Sequence, residues 1–326
     1  MKVFLIHNTE TIGVSSWYIE QAFNRIKKPE DFHLFRPNKI MKQIAERKES
    51  PPDYFLIWEG NISDVQCTRD LANIKIPRIM WFSDSYPVKG YMDYFPFEIT
   101  WAKNTKPDLI LMAQYSKVKE MREATNIPTY WLPFAGDSLW HYEVDKNPNY
   151  DISYVGTINP NDDHADQQKA YHLSILSKEG FKIRAVISHD KGRSDYTFEW
   201  KINRPVLTEY SKEICRGKVG FNCNIAGDLT GRTFEIPLMN RTLLTNGGDG
   251  WQFIFRDWDN AVFYDVPSIL ISNMKHLLDN ESERNKIARN GYETIIKNHT
   301  YEKRIEQIEL LIDNKIDEYE KRLYGR

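Results

Sequence analysis

With 326 residues, 41% hydrophobic and 28% charged, the chain is long enough for two ordinary domains and reads as a soluble globular protein. A formal net charge of −2 gives no overall attraction to nucleic acid or to an anionic membrane, and no apolar run approaches the ~20 residues that span a bilayer. Three widely spaced cysteines, Cys67, Cys215 and Cys223, form no CxxC or Cys/His pattern, so reduced thiols and no metal site are expected.

The opening MKVFLIHNTE enters a strand at once and has no signal-peptide apolar region, which points to a cytoplasmic location. Apolar runs predict strands at Lys2–Ile6, His33–Phe35, Tyr54–Trp58, Arg78–Phe82, Ile99–Ala102, Leu109–Ala113 and Thr129–Leu132. Amphipathic stretches predict helices at Ser16–Lys27, Lys39–Arg47, Asp64–Ile74 and Tyr115–Ala124. Continuous apolar strands alternating with helices argue for a parallel, doubly wound sheet covered on both faces. The segment Asn24–Lys48 carries eight Lys/Arg against three acidic residues, either a solvated face or a phosphate-binding surface.

Leu132–Tyr150, rich in Pro, Asn and Asp and without a period, reads as a linker. A second series follows, with strands at Asp151–Val155, Lys182–Ile187, Val219–Asn222, Thr242–Thr245 and Ala261–Tyr264. Its helices fit Asp166–Lys178, Arg232–Leu238, Pro267–Leu278 and Glu281–His299, and Thr300–Arg326 reads as one long amphipathic helix capped by Thr300. Two α/β domains, 1–140 and 151–299, followed by the 300–326 helix, would face each other across a cleft. Ligands of such sheets bind outside the carboxyl ends of the strands.

Three loops in the second half occupy such positions, and they make it the nucleotide-binding half. Gly156 and Thr157 follow its first strand. Gly231, Arg232 and Thr233 start a helix whose free amides suit a diphosphate, while Glu235, one turn in, suits the vicinal hydroxyls of a ribose. The spacing of Arg232 and Glu235 equally fits a surface i, i+3 ion pair. Gly247, Gly248 and Gly250 form a GGDG turn after a third strand, either a plain turn or a close approach to a sugar, with Asp249 as a hydroxyl acceptor. In the first half, Asp84, then Glu59, then His7 are the candidate bases for an acceptor hydroxyl, each at a strand's carboxyl end. The other histidines show no paired spacing of a metal site, though His164 and His189 could touch a donor.

DISYVGT (151–157), GRTFEIPLMNRTLLTN (231–246), IARNGYETIIKNHTYEKR (287–304) and WLPFAGD (131–137) together resemble the CgeB-like spore-maturation family of GT-B glycosyltransferases, related to glycosyltransferase group 1. The resemblance covers about Pro77 to Arg304. It implies a GT-B-like fold and a metal-independent transferase without a cofactor, whose donor is a nucleoside-diphosphate sugar, a UDP-sugar favoured. It also implies Glu235 on the ribose and Arg232 at the phosphate loop. Three departures stand out. The loop Asn159–Asp163 lacks the family's basic residue, position 227 is Gly where related enzymes carry a first Glu, and MNR (239–241) replaces a small-residue turn. Arg241 is then either a second phosphate ligand or a helix C-terminal charge. The acceptor class (saccharide, protein, small molecule or modified DNA) and the oligomeric state stay open. A phage-type transferase acting on modified DNA bases, a GT-B-fold nucleotide-sugar epimerase and a non-catalytic binding protein are the alternative readings.

Overall fold

The computed structural model describes residues 1–7, 11–35, 51–58, 69, 71–73, 75–83, 94–158, 165–188, 197–224 and 229–325. Two six-stranded sheets, parallel throughout, organise them. The first contains β1 (Val3–Ile6), β2 (Phe32–Phe35), β3 (Tyr54–Trp58), β4 (Arg78–Phe82), β5 (Leu109–Met112) and β6 (Thr129–Trp131), in the order β2-β1-β3-β4-β5-β6. The second contains β7 (Tyr150–Gly156), β8 (Ile183–Ile187), β9 (Glu199–Ile202), β10 (Gly217–Asn222), β11 (Thr242–Thr245) and β12 (Val262–Phe263), in the order β12-β11-β10-β7-β8-β9. Strands such as Val3–Ile6 and Tyr54–Trp58 are buried at every position. They lie between covered faces, as continuous apolar runs require.

The helices are α1 (Ser15–Ile26), α2 (Phe95–Thr105), α3 (Lys117–Thr125), α4 (Ala165–Lys178), α5 (Thr208–Cys215), α6 (Gly231–Leu238), α7 (Pro267–Asp279), α8 (Glu281–Asn298), α9 (Tyr301–Ile312) and α10 (Ile316–Tyr324). The predicted strand Ile99–Ala102 is part of α2. Pro96 opens that helix, and Phe95, Glu98, Ala102 and Thr105 are buried at helical spacing. Lys106 then closes it in the left-handed region at φ 52° before Pro107. A four-residue apolar run carries no period of its own, so these flanking signals decide. The sequence reading missed β9 and α5. The predicted helix Lys39–Arg47 lies outside the described residues, as does most of Asp64–Ile74.

The predicted single tail helix is two. It breaks at Asn314, which sits at φ 57°, between α9 and α10. Thr300 caps α9 as expected, its side chain accepting from Lys303 N. Both tail helices fold back on the first half. Lys27, at the C-cap of α1, pairs with Glu309, the rings of Tyr130 and Tyr319 meet at 5.9 Å, and the Tyr319 hydroxyl donates to the Trp131 carbonyl. Ile305, Ile308 and Leu311 bury the apolar stripe of α9, each contributing ~2 kcal/mol by leaving water.

The linker after β6 is fixed from three sides. Arg25 of α1 donates to Asp137 at 2.7 Å and to Glu302 at 2.8 Å, Gly136 bridges to Thr300, and Arg304 holds the carbonyls of Pro133 and Phe134. One apolar core runs through both halves, from Leu5 and Trp81 through Leu132 to Phe234 and Tyr301. Each sheet covers its other face with a core of its own. No helix among the described residues is long and apolar enough to cross a membrane.

Candidate functional site

The order of the second sheet reverses between β7 and β10, and that of the first between β1 and β3. The carboxyl ends of the two sheets face each other. Gly13, after β1, packs against Val206, after β9, while Asp249 and Gly250, after β11, reach Ser116, Tyr115 and Trp131, after or at the ends of β5 and β6. A crevice at these ends, at the switch point, is where such sheets bind ligands.

Helix α6 starts there. Thr230, extended at φ −62° and ψ 161°, is its N-cap, Gly231 its first residue and Arg232 its second. Gly220 on β10 lets the helix seat closely, since a Cβ there would lie 2.4 Å from Ile236 Cγ2. The buried side of the helix is Thr233, Phe234, Ile236, Pro237 and Leu238, leaving Arg232 and Glu235 half-buried toward the crevice.

These two residues do not pair. Arg232 Nε donates to Asn222 Oδ1 at 3.0 Å, and its guanidinium lies 5.8 Å from the Tyr154 ring centre. A Cβ on Gly156 would stand 2.7 Å from Arg232 Nη1 and 2.6 Å from the Tyr154 hydroxyl. The glycine therefore admits the arginine and tyrosine side chains rather than an approaching ligand. Glu235 curls over the helix start instead, with Oε1 3.0 Å from the place of a Gly231 Cβ, and forms no ion pair among the described residues. Geometry thus removes the surface ion-pair reading. A cation in the first turn of a helix opposes the macrodipole, and an anion at the free amides relieves that conflict.

An asparagine network that sequence reasoning missed supports this corner. Asn222, at the end of β10, donates to Asn224 Oδ1 at 2.9 Å, Thr230 Oγ1 at 3.1 Å and Thr233 Oγ1 at 3.2 Å. Asn224 accepts from Thr230 N at 3.3 Å and donates to Thr245 Oγ1 at 3.2 Å and to the Gly247 carbonyl. Asn246 closes a reciprocal pair with the Asn224 backbone, 2.7 Å in each direction. Saturated amides of this kind hold two strand ends and a helix start rigidly. The signal available in the sequence was an Asn two residues from another just after a strand, matched by a third after the next strand. On the far side of β7, the Thr157 carbonyl accepts from Tyr154 at 3.1 Å and from Lys169 Nζ at 3.2 Å, and Thr157 Oγ1 meets Ser188 at 2.8 Å.

Other predicted residues stand elsewhere. Arg241 precedes β11 and so lies at the amino end of the sheet, away from the crevice. It is 5% exposed and committed to Glu143 at 2.8 Å and to the carbonyls of Asp145, Asn240 and Cys215. It ties the linker to the second sheet and is neither a phosphate ligand nor a simple helix-end charge. In the GGDG turn, Gly247 and Gly250 adopt φ 75° and 84°, which only glycine takes without strain. The turn faces the first half: the Asp249 carboxylate accepts from Ser116 N at the start of α3, and a Cβ on Gly250 would meet Trp131 at 2.7 Å. The Gly248 carbonyl accepts from Trp251 N at 3.2 Å. Asp249 is thus placed as a cross-domain helix cap. Among the candidate bases, His7 ends β1 at the first sheet's switch point, buried, its Nε2 2.9 Å from Glu20. Asp84 and Glu59 lie outside the described residues, as do the 159–163 loop, His164, His189 and most of the basic 24–48 segment. Cys215 and Cys223 are buried.

Residues 172–309, which include α6 and its Arg232 and Glu235, match a family model described as glycosyl transferase-like. Over these residues the chain is similar to glycosyltransferases. The whole architecture is that of GT-B glycosyltransferase structures. HepE of Anabaena, solved in complex with UDP and glucose, is 10% identical and aligns over 96% of this chain and 100% of its own at a TM-score of 0.68. Sucrose-phosphate synthase of Thermosynechococcus elongatus is 10% identical over 97% of this chain and 99% of its own at 0.67. A DNA-modifying β-glucosyltransferase, solved with and without UDP-glucose, is 12% identical over 94% and 97% at 0.59. No curated protein sequence matches the chain.

Proposed function

We propose that the chain is a cytoplasmic glycosyltransferase of the CgeB-like branch, moving a sugar from a nucleoside-diphosphate sugar to an acceptor hydroxyl. One observation carries this reading. Arg232 and Glu235 stand in the first turns of α6, whose amino end lies at the switch point of the second sheet. The helix-start amides and Arg232 receive the diphosphate, and Glu235, one turn in, accepts from both ribose hydroxyls. UDP is the favoured carrier, supported by the UDP complexes of HepE and the UDP-glucose complex of the β-glucosyltransferase.

Cleavage of the sugar–phosphate bond passes through an oxocarbenium-like transition state while negative charge builds on the leaving diphosphate. In this reading Arg232 and the amide dipoles meet that charge, so no metal ion is required. The acceptor enters from the first half, where His7, Glu59 or Asp84 takes its proton. Contact between the two sets of carboxyl-end loops excludes the water that would otherwise hydrolyse the donor. Calorimetric titration with UDP is the test: Glu235→Ala should abolish measurable binding with the fold intact, and unchanged affinity would refute the assignment.

A further inference from the structure

Beneath Glu235 lies a buried aromatic cluster drawn from four separate elements. Tyr18 comes from α1, His141 from the linker, Tyr210 from α5 and Tyr301 from the first turn of α9. The Tyr18 and Tyr301 rings stack at 5.8 Å, and the His141 ring stands edge-on to Tyr18 at 4.9 Å and to Tyr210 at 5.5 Å. The proton positions follow from one backbone donor. Asp137 N–H donates to His141 Nδ1 at 3.0 Å, so that nitrogen carries a lone pair. Burial keeps the imidazole neutral, and its single proton then sits on Nε2, which donates to the Tyr18 oxygen at 3.1 Å. The hydroxyl proton of Tyr18 is therefore turned away from His141. The Tyr210 hydroxyl is buried and makes no hydrogen bond of full geometry among the described residues, although the Glu235 carboxylate stands near enough for such a bond to help raise its pKa. A hydroxyl left unpaired in a protein interior is destabilising and calls for an explanation.

The charge that bears most on both hydroxyls is the Glu235 carboxylate. Burial first, and Glu235 next, raise both phenols above their ordinary range, so both keep their protons to donate. The same carboxylate faces His141 and Tyr301, while Arg232, on its own helix, is the cation felt by Tyr210. We propose that Tyr210 and Tyr18 are positioning residues for Glu235, donating their hydroxyl protons to its carboxylate as the nucleotide draws it onto the ribose. This rests on the reading of Glu235 as the ribose acceptor. Because Tyr18 belongs to the first half, the donor grip in the second half is completed across the cleft.

Thermal melts and UDP titrations of Tyr210→Phe, Tyr18→Phe and Glu235→Ala test it. Tyr210→Phe removes an unpaired hydroxyl, so its melting temperature should stay level or rise. Its UDP affinity should fall about tenfold, the worth of one hydrogen bond to a charged group. Tyr18→Phe should weaken UDP similarly and also lower the melting temperature, since His141 Nε2–H loses its acceptor. If Glu235→Ala loses UDP but Tyr210→Phe binds it with unchanged affinity, the positioning role is wrong and the ribose reading stands. If Tyr210→Phe melts well below the wild type with unchanged affinity, the hydroxyl serves the fold and the proposal falls. If Glu235→Ala itself keeps UDP, both readings fall together.

Discussion

The guanidinium of Arg304 donates to the carbonyl oxygen of Phe134 at 2.9 Å, joining the start of α9 to the linker across 170 residues. The same side chain reaches Pro133 O at 2.9 Å, Gln307 Oε1 at 2.7 Å and His299 Nδ1 at 3.0 Å, so His299 must be neutral. Arg304 is fully buried without a carboxylate partner among the described residues, and that burial lowers its pKa to about 9. Backbone carbonyl dipoles take the place of a counter-ion and make the HTYEKR segment a clamp on the hinge.

Arg304→Ala should destabilise the fold by about 3 kcal/mol or more, because it leaves several buried acceptors unpaired. Arg304→Lys should recover only part of this, since an ammonium lacks the planar fork. Urea unfolding at pH 7 measures both, and a loss under about 1 kcal/mol for alanine would contradict the clamp.

Arg232 and Glu235 should separate by ligand. Arg232→Met should weaken UDP at least ~10-fold while leaving uridine nearly unchanged, because the cation meets only phosphate. Glu235→Ala should weaken uridine and UDP alike, because the ribose is common to both. Paired calorimetric titrations decide, and equal effects of Arg232→Met on the two ligands would remove it from the phosphate site.

Arg241→Ala should behave in the opposite way. It strands Glu143 and three carbonyls at the linker and should cost about 3 kcal/mol of stability, with UDP affinity unchanged under native conditions. A selective loss of UDP binding at full stability would restore it as a ligand residue.

Stability should fall on both sides of neutrality, for opposite reasons. Burial holds the native His141 and His299 below their ordinary range, His299 also by the charge of Arg304. The unfolded chain binds more protons below about pH 6.5. Each histidine therefore contributes stability that is complete above that pH and is lost below it, at up to ~1.4 kcal/mol per pH unit. On the alkaline side, burial raises Tyr18, Tyr54, Tyr210, Tyr301 and Tyr319. Their contribution is complete below about pH 10 and is lost as pH rises through the unfolded value. Urea midpoints at pH 5.5, 7 and 10.5 test both limbs, and the phenolate absorbance of these five buried tyrosines should appear only with unfolding.

Legibility in the sequence followed the range of the interactions concerned. Tyr54–Trp58 and Thr242–Thr245 were readable because a strand covered on both faces must be apolar at each position. The start of α6 at Gly231–Arg232 was readable because a helix that follows a strand begins at such a turn wherever it folds. Ile99–Ala102 was misread because four apolar residues fit either period until Pro96 and the Lys106–Pro107 stop are weighed. The partners of Arg241 and Asp249 were not legible, because a charge near a strand does not announce at which end of the sheet, or against which domain, it will lie.

The order of hydrophobic runs, glycines and caps along this chain was enough to specify two parallel α/β layers and the helix start that offers its amides. Those choices rest on steric and solvation preferences acting within a few residues. Which partner each polar group found was settled only in three dimensions: Asp249 on a helix of the other half, Arg304 on the hinge, Asn222, Asn224 and Asn246 on one another, and four aromatic side chains beneath Glu235. Such pairings join positions up to 283 residues apart, as from Tyr18 to Tyr301, and form only after the apolar core has brought the two halves together. Local pattern carries no record of them because each buried donor takes whichever acceptor the finished packing leaves within reach.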